Sequence, residues 1–171
     1  VAATVCPCCR TKMYVSAGGD IHLAYRDIIN DSIRDMVHQV SADGGKTFSA
    51  PVRISADNWV INGCPHTGPA LTANSKGLHF SWFTMGGGQG AFYCRSADNG
   101  NTYTQKESLG KSPMAKHPQM TTVNDQIMIV WDEPVKWKDG FNYRIGFQYK
   151  DADGKTKQAG VLTADSSYAD Y

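Results

Sequence analysis

The chain has 171 residues, of which 41% are hydrophobic and 19% charged, with a formal net charge of +1; that length supports one hydrophobic core without staples. Lys and Arg are scattered rather than gathered in a stripe, which excludes an electrostatic footprint for nucleic acid or anionic membrane. No apolar run approaches the ~18 residues needed for a membrane span.

The first element is a loop rich in sulfur. Cys6, Cys8 and Cys9 fall within four residues and Arg10 follows at once. With Cys64 and Cys94 they make five cysteines, an odd count that leaves at least one thiol unpaired if the others oxidise. No initiator Met or signal-like segment precedes the loop, so Val1 is expected to be a processed end. Turns rich in Asn, Asp, Gly, Ser and Thr fit a secreted, periplasmic or cell-surface protein.

Behind the loop comes a short alternating strand, TKMYVSA, then a longer one, DIHLAYR, and then the turn SADGGKTF from Ser41 to Phe48. The same order recurs as GPALTAN, GLHFSWF and SADNGNTY, with Ser96 lying 55 residues after Ser41. A third pass runs QMTTVND, QIMIVWD and a frayed DADGKTK that begins at Asp151, another 55 residues on from Ser96. Tyr25, Trp82 and Trp131 hold the same place in each pass. Period-2 alternation, β-branched and aromatic enrichment and frequent turn residues read as strands. No segment carries a helical stripe.

Four antiparallel strands repeating at this interval predict an all-β fold, a β-propeller of four-stranded blades. About three blades are expected, over roughly residues 1–54, 55–109 and 110–171. Three blades leave two outer faces uncovered, so self-association or further blades are expected to complete the ring. In each turn the aspartate accepts from nearby backbone N–H groups and Gly supplies a backbone angle other residues resist. Asp43 with Gly45 and Asp98 with Gly100 are therefore hairpin locks, with Phe48 and Tyr103 anchoring them in the inter-blade core. His22, His38 and His79 read as packing residues, Cys94 as a buried small hydrophobe, and MGGGQG (Met85 to Gly90) as a hairpin tip.

The box S-x-D-x-G-x-T-aromatic resembles that of the sialidase superfamily, the BNR or Asp-box proteins, which fold as six-bladed propellers. The resemblance implies that Arg10 and Arg26 clamp a sugar carboxylate and that Asp31, five residues beyond Arg26, is the acid/base. Paired guanidiniums and a proton-donating carboxylic acid suit that chemistry. The departures are specific. Only the arginine of the family's aromatic-Arg-Ile-Pro motif is present, in CCRTK. The family's nucleophilic tyrosine, its glutamate and its third arginine come from later blades; Glu133 and Tyr143 match by type and not by motif.

The repeat also aligns the loops that enter each innermost strand. Cys9 lies 16 residues before Tyr25, and His66 and Cys64 lie 16 and 18 before Trp82. Met114 and His117 lie 17 and 14 before Trp131. Such loops surround one mouth of a propeller's axial channel, so these residues are expected to converge. Three readings stand open: a disulfide from Cys64 to Cys6, Cys8 or Cys9; a soft-metal site drawing on Cys6, Cys8, Cys9, Cys64, His66, Met114 and His117; or cysteines merely tolerated in tight turns. Thiolate, imidazole and thioether together favour copper as Cu(I), with zinc the poorer fit because methionine is a weak zinc ligand.

The functional expectation is a non-hydrolytic, extracytoplasmic binding or structural module, with a glycan or other small molecule as a candidate ligand. The alternative is an exo-sialidase or related glycoside hydrolase acting through Arg10, Arg26 and Asp31.

Overall fold

A computed structural model describes residues 4–163. Twelve strands form three four-stranded antiparallel sheets, and the described residues contain no helix. The first sheet holds β1 (Lys12–Val15), β2 (Ile21–Arg26), β3 (Met36–Ser41) and β4 (Val52–Arg53) in chain order. The second holds β5 (Ala70–Asn74), β6 (Gly77–Thr84), β7 (Gly90–Ser96) and β8 (Glu107–Ser108), again in order. The third holds β9 (Lys116–Val123), β10 (Gln126–Trp137), β11 (Gly140–Lys150) and β12 (Thr156–Val161). Three consecutive meanders, each closed by local pairing, are blades of a β-propeller.

The innermost strands lie beside one another. Thr122 Oγ1 on β9 donates to the Ala73 carbonyl on β5 at 2.7 Å and shares a 2.9 Å hydrogen bond with Thr72 Oγ1. Between the first two sheets, Ala24, Met36, Leu71, Phe80, Trp82 and Cys94 close one core, with Tyr103 packed against it. Between the second and third, Ala91, Tyr93, Leu109, Ile127, Ile129 and Trp131 close another. The aromatics matched by the repeat are all buried and all satisfied. Tyr25 Oη donates to Gln39 Oε1 at 2.8 Å, Trp82 Nε1 to Asp57 Oδ2 at 2.8 Å, and Trp131 Nε1 to Glu133 Oε2 at 2.9 Å. A buried Trp or Tyr needs that polar outlet.

The boxes lock as their chemistry requires. Asp43 Oδ1 accepts from the Ser41 hydroxyl at 2.8 Å and the Thr47 amide at 2.9 Å, while Oδ2 accepts from Thr47 Oγ1 at 2.6 Å. Asp98 repeats the set with Ser96 at 2.8 Å and Thr102 at 2.9 and 2.6 Å. Gly45 and Gly100 take φ of 88° and 90°, the left-handed region. In the third box the locking carboxylate is Asp151, which accepts from the Lys155 amide at 2.9 Å, two residues earlier than the 55-residue spacing places it.

Hydrogen bonds from Thr47 and Thr102, first through the side chains and then through the backbone amides, pull Asp43 and Asp98 down to about 2. Both groups titrate lower in the folded chain than in the unfolded one. Their contribution is therefore complete above an unfolded carboxylate value of about 4 and is lost as pH falls through about 2. The melting temperature is expected to drop between pH ~4 and ~2. In Asp43→Asn with Asp98→Asn it should start lower and lose that part of the slope; an unchanged acid limb would show that the locks carry no stability.

The second box also reaches the preceding blade. Tyr103 shares a 3.0 Å hydrogen bond with His38 Nδ1, and His38 Nε2 meets His22 Nδ1 at 3.1 Å. Burial first, and then His22, push His38 down to about 4. At the next junction His79 Nδ1 meets Tyr93 Oη at 2.7 Å, and Lys150 Nζ sits 4.3 Å from the Tyr93 ring centroid. Both junctions are thus polar seams beneath aromatic cover.

Candidate functional site: a sulfur cluster at the mouth of two blades

The cysteine loop is a bulge on an extended sheet edge. Thr4 to Cys6 run antiparallel to Arg26 to Ile28, through Ile28 N to Thr4 O at 2.7 Å and Cys6 N to Arg26 O at 3.0 Å. Pairing resumes only at Lys12, opposite Ala24. Pro7 to Thr11 therefore loop outward at the end of the blade, with Cys9 N closing back on Cys6 O at 3.4 Å.

The partner loop runs from β4 to β5 and is fastened to the first blade. Asp35, fully buried, pairs with Arg53 and accepts from the amides of Asn58 at 2.9 Å and Trp59 at 3.1 Å. Trp59 O then accepts from Arg34 N at 2.8 Å. Farther along, Gly68 passes so close to the Arg10 carbonyl that a Cβ would collide with it. This path carries Cys64 onto the bulge.

Four sulfurs meet there. Cys8 and Cys64 are joined by a disulfide, their Cα atoms 6.4 Å apart across a separation of 56 residues. Cys6 Sγ is the hub, at 3.7 Å from Cys8, 3.8 Å from Cys64 and 2.9 Å from Cys9. Cys6 and Cys9 are free thiols and buried, whereas Cys8 and Cys64 are half-buried at the rim. Burial, and then the hydrogen bond with Cys6, push the Cys9 thiol up to about 11 against the opposing pull of Arg26.

Arg26 closes the floor of the cluster. It is 1% exposed, and its guanidinium donates to the carbonyls of Arg34 at 2.7 Å, Phe83 at 2.7 Å and Thr67 at 3.3 and 3.4 Å. The Trp59 ring lies over it, 4.9 Å to the centroid, and the Cys9 thiol faces it. The residue ties the first blade to the second and spends its donors on backbone.

The other expected site residues lie elsewhere. Arg10 and Asp31 are exposed, Asp31 at the tip of a small hairpin closed by the Ile29–Ile33 bridge, with φ of 62°. His66 is exposed with φ of 53° and stands outside the sulfur group. Met114 Sδ accepts from Gln89 Nε2 at 3.4 Å, and His117 Nδ1 meets Asp132 Oδ1 at 2.8 Å. Among the described residues, the His, Cys and carboxylate ligand atoms that gather within 4.8 Å of one another are those of Cys6, Cys8 and Cys64. Of the expected ligands, the sulfurs of Cys6, Cys8, Cys9 and Cys64 are the ones seen in contact with one another. The loop into β9 turns on Ser112, whose carbonyl accepts from Ala115 N at 3.2 Å.

Sequence reading passed over Asp57, Trp59 and Thr67, of which Trp59 and Thr67 close on Arg26 beneath the cluster. Asp57 accepts from Ser55 at 2.7 Å, Lys106 at 2.5 Å and the Trp82 indole. The run Ser55 to Trp59 holds a polar-aromatic cluster in a loop, the kind of signal that marks an anchored segment.

No family model matches the chain, and no curated protein matches it. Solved structures do. A Hadza microbial sialidase is similar with a TM-score of 0.55 at 17% identity, over 88% of this chain and 36% of that one. A fucose lectin from Kordia zhangzhouensis gives 0.53 at 12% identity, over 92% and 100%. A GH43 endo-arabinanase from Bacillus licheniformis gives 0.52 at 15% identity, over 90% and 58%. This chain thus spans little more than a third of the sialidase, and at such identities the likeness is one of fold. What it establishes, with the three sheets, is the architecture: blades of a β-propeller.

Proposed function

We propose that the chain is a sialidase-like propeller segment of an extracytoplasmic compartment that binds or supports rather than hydrolyses. Its chemistry resides in the cysteine cluster, which staples two blades and takes a soft metal such as copper. One observation carries the reading: the expected clamp, Arg26, is buried with its donors bound to three backbone carbonyls, and sulfur occupies the space before it. A sugar carboxylate could reach that guanidinium only by breaking the tie between blades. Arg10 and Asp31 stand exposed and are not gathered on it. A disulfide also fits an oxidising compartment.

The named neighbours, a sialidase, a fucose lectin and an arabinanase, support a glycan as the ligand class for the assembled propeller. Further blades or a second copy would cover the outer faces of the first and third sheets.

Peptide mapping of the oxidised protein should find Cys8 linked to Cys64, and titration after denaturation should count three free thiols: Cys6, Cys9 and Cys94. A fluorogenic sialoside should not turn over in a form that contains every blade. Turnover abolished by Asp31→Asn would overturn the non-hydrolytic reading. Five free thiols with no copper or zinc uptake would remove both staple and metal.

A further inference from the structure

The metal reading leaves open which sulfurs bind and what charge the site accepts. Arg26 answers both. Its burial is nearly complete, yet its partners are carbonyls, and no carboxylate pairs with it among the described residues. An uncompensated buried cation is costly. The Cys9 thiol faces the guanidinium, with Cys6 Sγ 2.9 Å from Cys9, and both are neutral until they lose their protons. Asp35 is already spent on Arg53 and two amides. Thr67, which gives its carbonyl to Arg26, also keeps its own Oγ1 buried with no hydrogen bond.

We infer that Cys6 and Cys9 bind one monovalent soft cation, Cu(I), as a two-thiolate complex whose single negative charge Arg26 neutralises, while the Cys8–Cys64 disulfide stays closed. This rests on the soft-metal reading above and narrows it. Each thiol gives its proton to solvent as the cation enters. Two thiolates and one Cu(I) sum to −1, and the guanidinium brings the buried group to zero. A divalent ion on the same pair would leave the charge of Arg26 unmatched. A Cys6–Cys9 disulfide would do so as well. Soft thiolates suit both Cu(I) and zinc, but zinc takes four ligands where this pair offers two, and the Cys6 and Cys9 sulfurs, 2.9 Å apart, could admit Cu(I) between them after side-chain rotation. Arg26 is then a positioning residue that sets which charge the site accepts.

The experiment adds Cu(I), held by a chromogenic competitor, to the full chain under anaerobic conditions with the disulfide intact. One equivalent should bind, Cys6 and Cys9 should be protected from alkylation in the native protein while Cys94 is unaffected by Cu(I), and mapping should still find Cys8–Cys64. Ag(I) should compete and Zn(II) should not. Arg26→Gln should weaken Cu(I) by ~100-fold, as removal of a unit charge about 6 Å away does at an effective dielectric near 20. Because that variant also cuts inter-blade ties, Cys9→Ser serves beside it: it should lose Cu(I) uptake with the staple and the fold unchanged.

Uptake that requires prior reduction of Cys8–Cys64, or equal affinity for Zn(II), would overturn the two-thiolate site while leaving a metal-binding cluster standing. A mapped Cys6–Cys9 disulfide that resists mild reductant would overturn it and leave only the staple. Undiminished Cu(I) binding in Cys9→Ser would overturn it too.

Discussion

Replacing both ends of the staple, Cys8→Ser with Cys64→Ser, should lower the unfolding free energy by about 4 kcal/mol, the chain-entropy value for a closed loop of this length. The bridge spans 56 residues and joins two blades that otherwise meet through side chains and a few backbone contacts. Urea unfolding of the oxidised protein measures the change. A built-in control follows from the hub geometry. Cys6 Sγ stands 3.8 Å from Cys64, so Cys8→Ser alone lets Cys6 take over the bond and should lose much less than the double variant. Reductant should destabilise the parent to the level of the double variant and leave that variant unmoved. If the parent ignores reductant, the bridge contributes nothing to stability.

Trp82→Ala should cost about 3–5 kcal/mol, the range for deleting a buried aromatic. Trp82 is fully buried amid Leu71, Phe80 and Cys94, and its indole donates to Asp57. The loss has two parts: an apolar void at the blade junction, and one donor fewer for a buried carboxylate. Trp82→Phe separates them. It keeps most of the apolar volume and gives up the N–H, so it should cost about 1.5–3 kcal/mol, the worth of a hydrogen bond to a charged group. Thermal melts should fall by roughly 10 °C for the alanine variant. A shift within error would mean that the junction repacks without it.

The fold was legible because its signals are local. Alternation in IHLAYR, GLHFSWF and QIMIVWD, and the Ser-x-Asp turn, depend on neighbours a few residues apart. The site was legible in half. The loops of Cys9 and Cys64 are equivalent in the repeat, and that equivalence brought them together as expected. Met114 and His117 meet Gln89 and Asp132, partners that the repeat did not point to. Nor could sequence show the state of Arg26. Its position at a strand end matches a clamp, but whether its donors face solvent or carbonyls depends on Thr67 and Phe83, 41 and 57 residues away. Nor does anything local mark Asp35: its burial depends on Trp59, 24 residues on.

Because the second and third turns lean back onto the leaf before them, the two ends of the row differ. Gly154 in the third turn packs against Tyr93 of the second leaf, while Phe48 of the first is left half-covered. At the far end, Trp131, Glu133 and Arg144 line an open groove of about 570 Å³. A neighbour of either origin, were one to close the row, would meet both features by arriving head to tail, offering a turn to the groove and a groove to the turn. Front-to-front pairing of identical ends would leave both features unmatched.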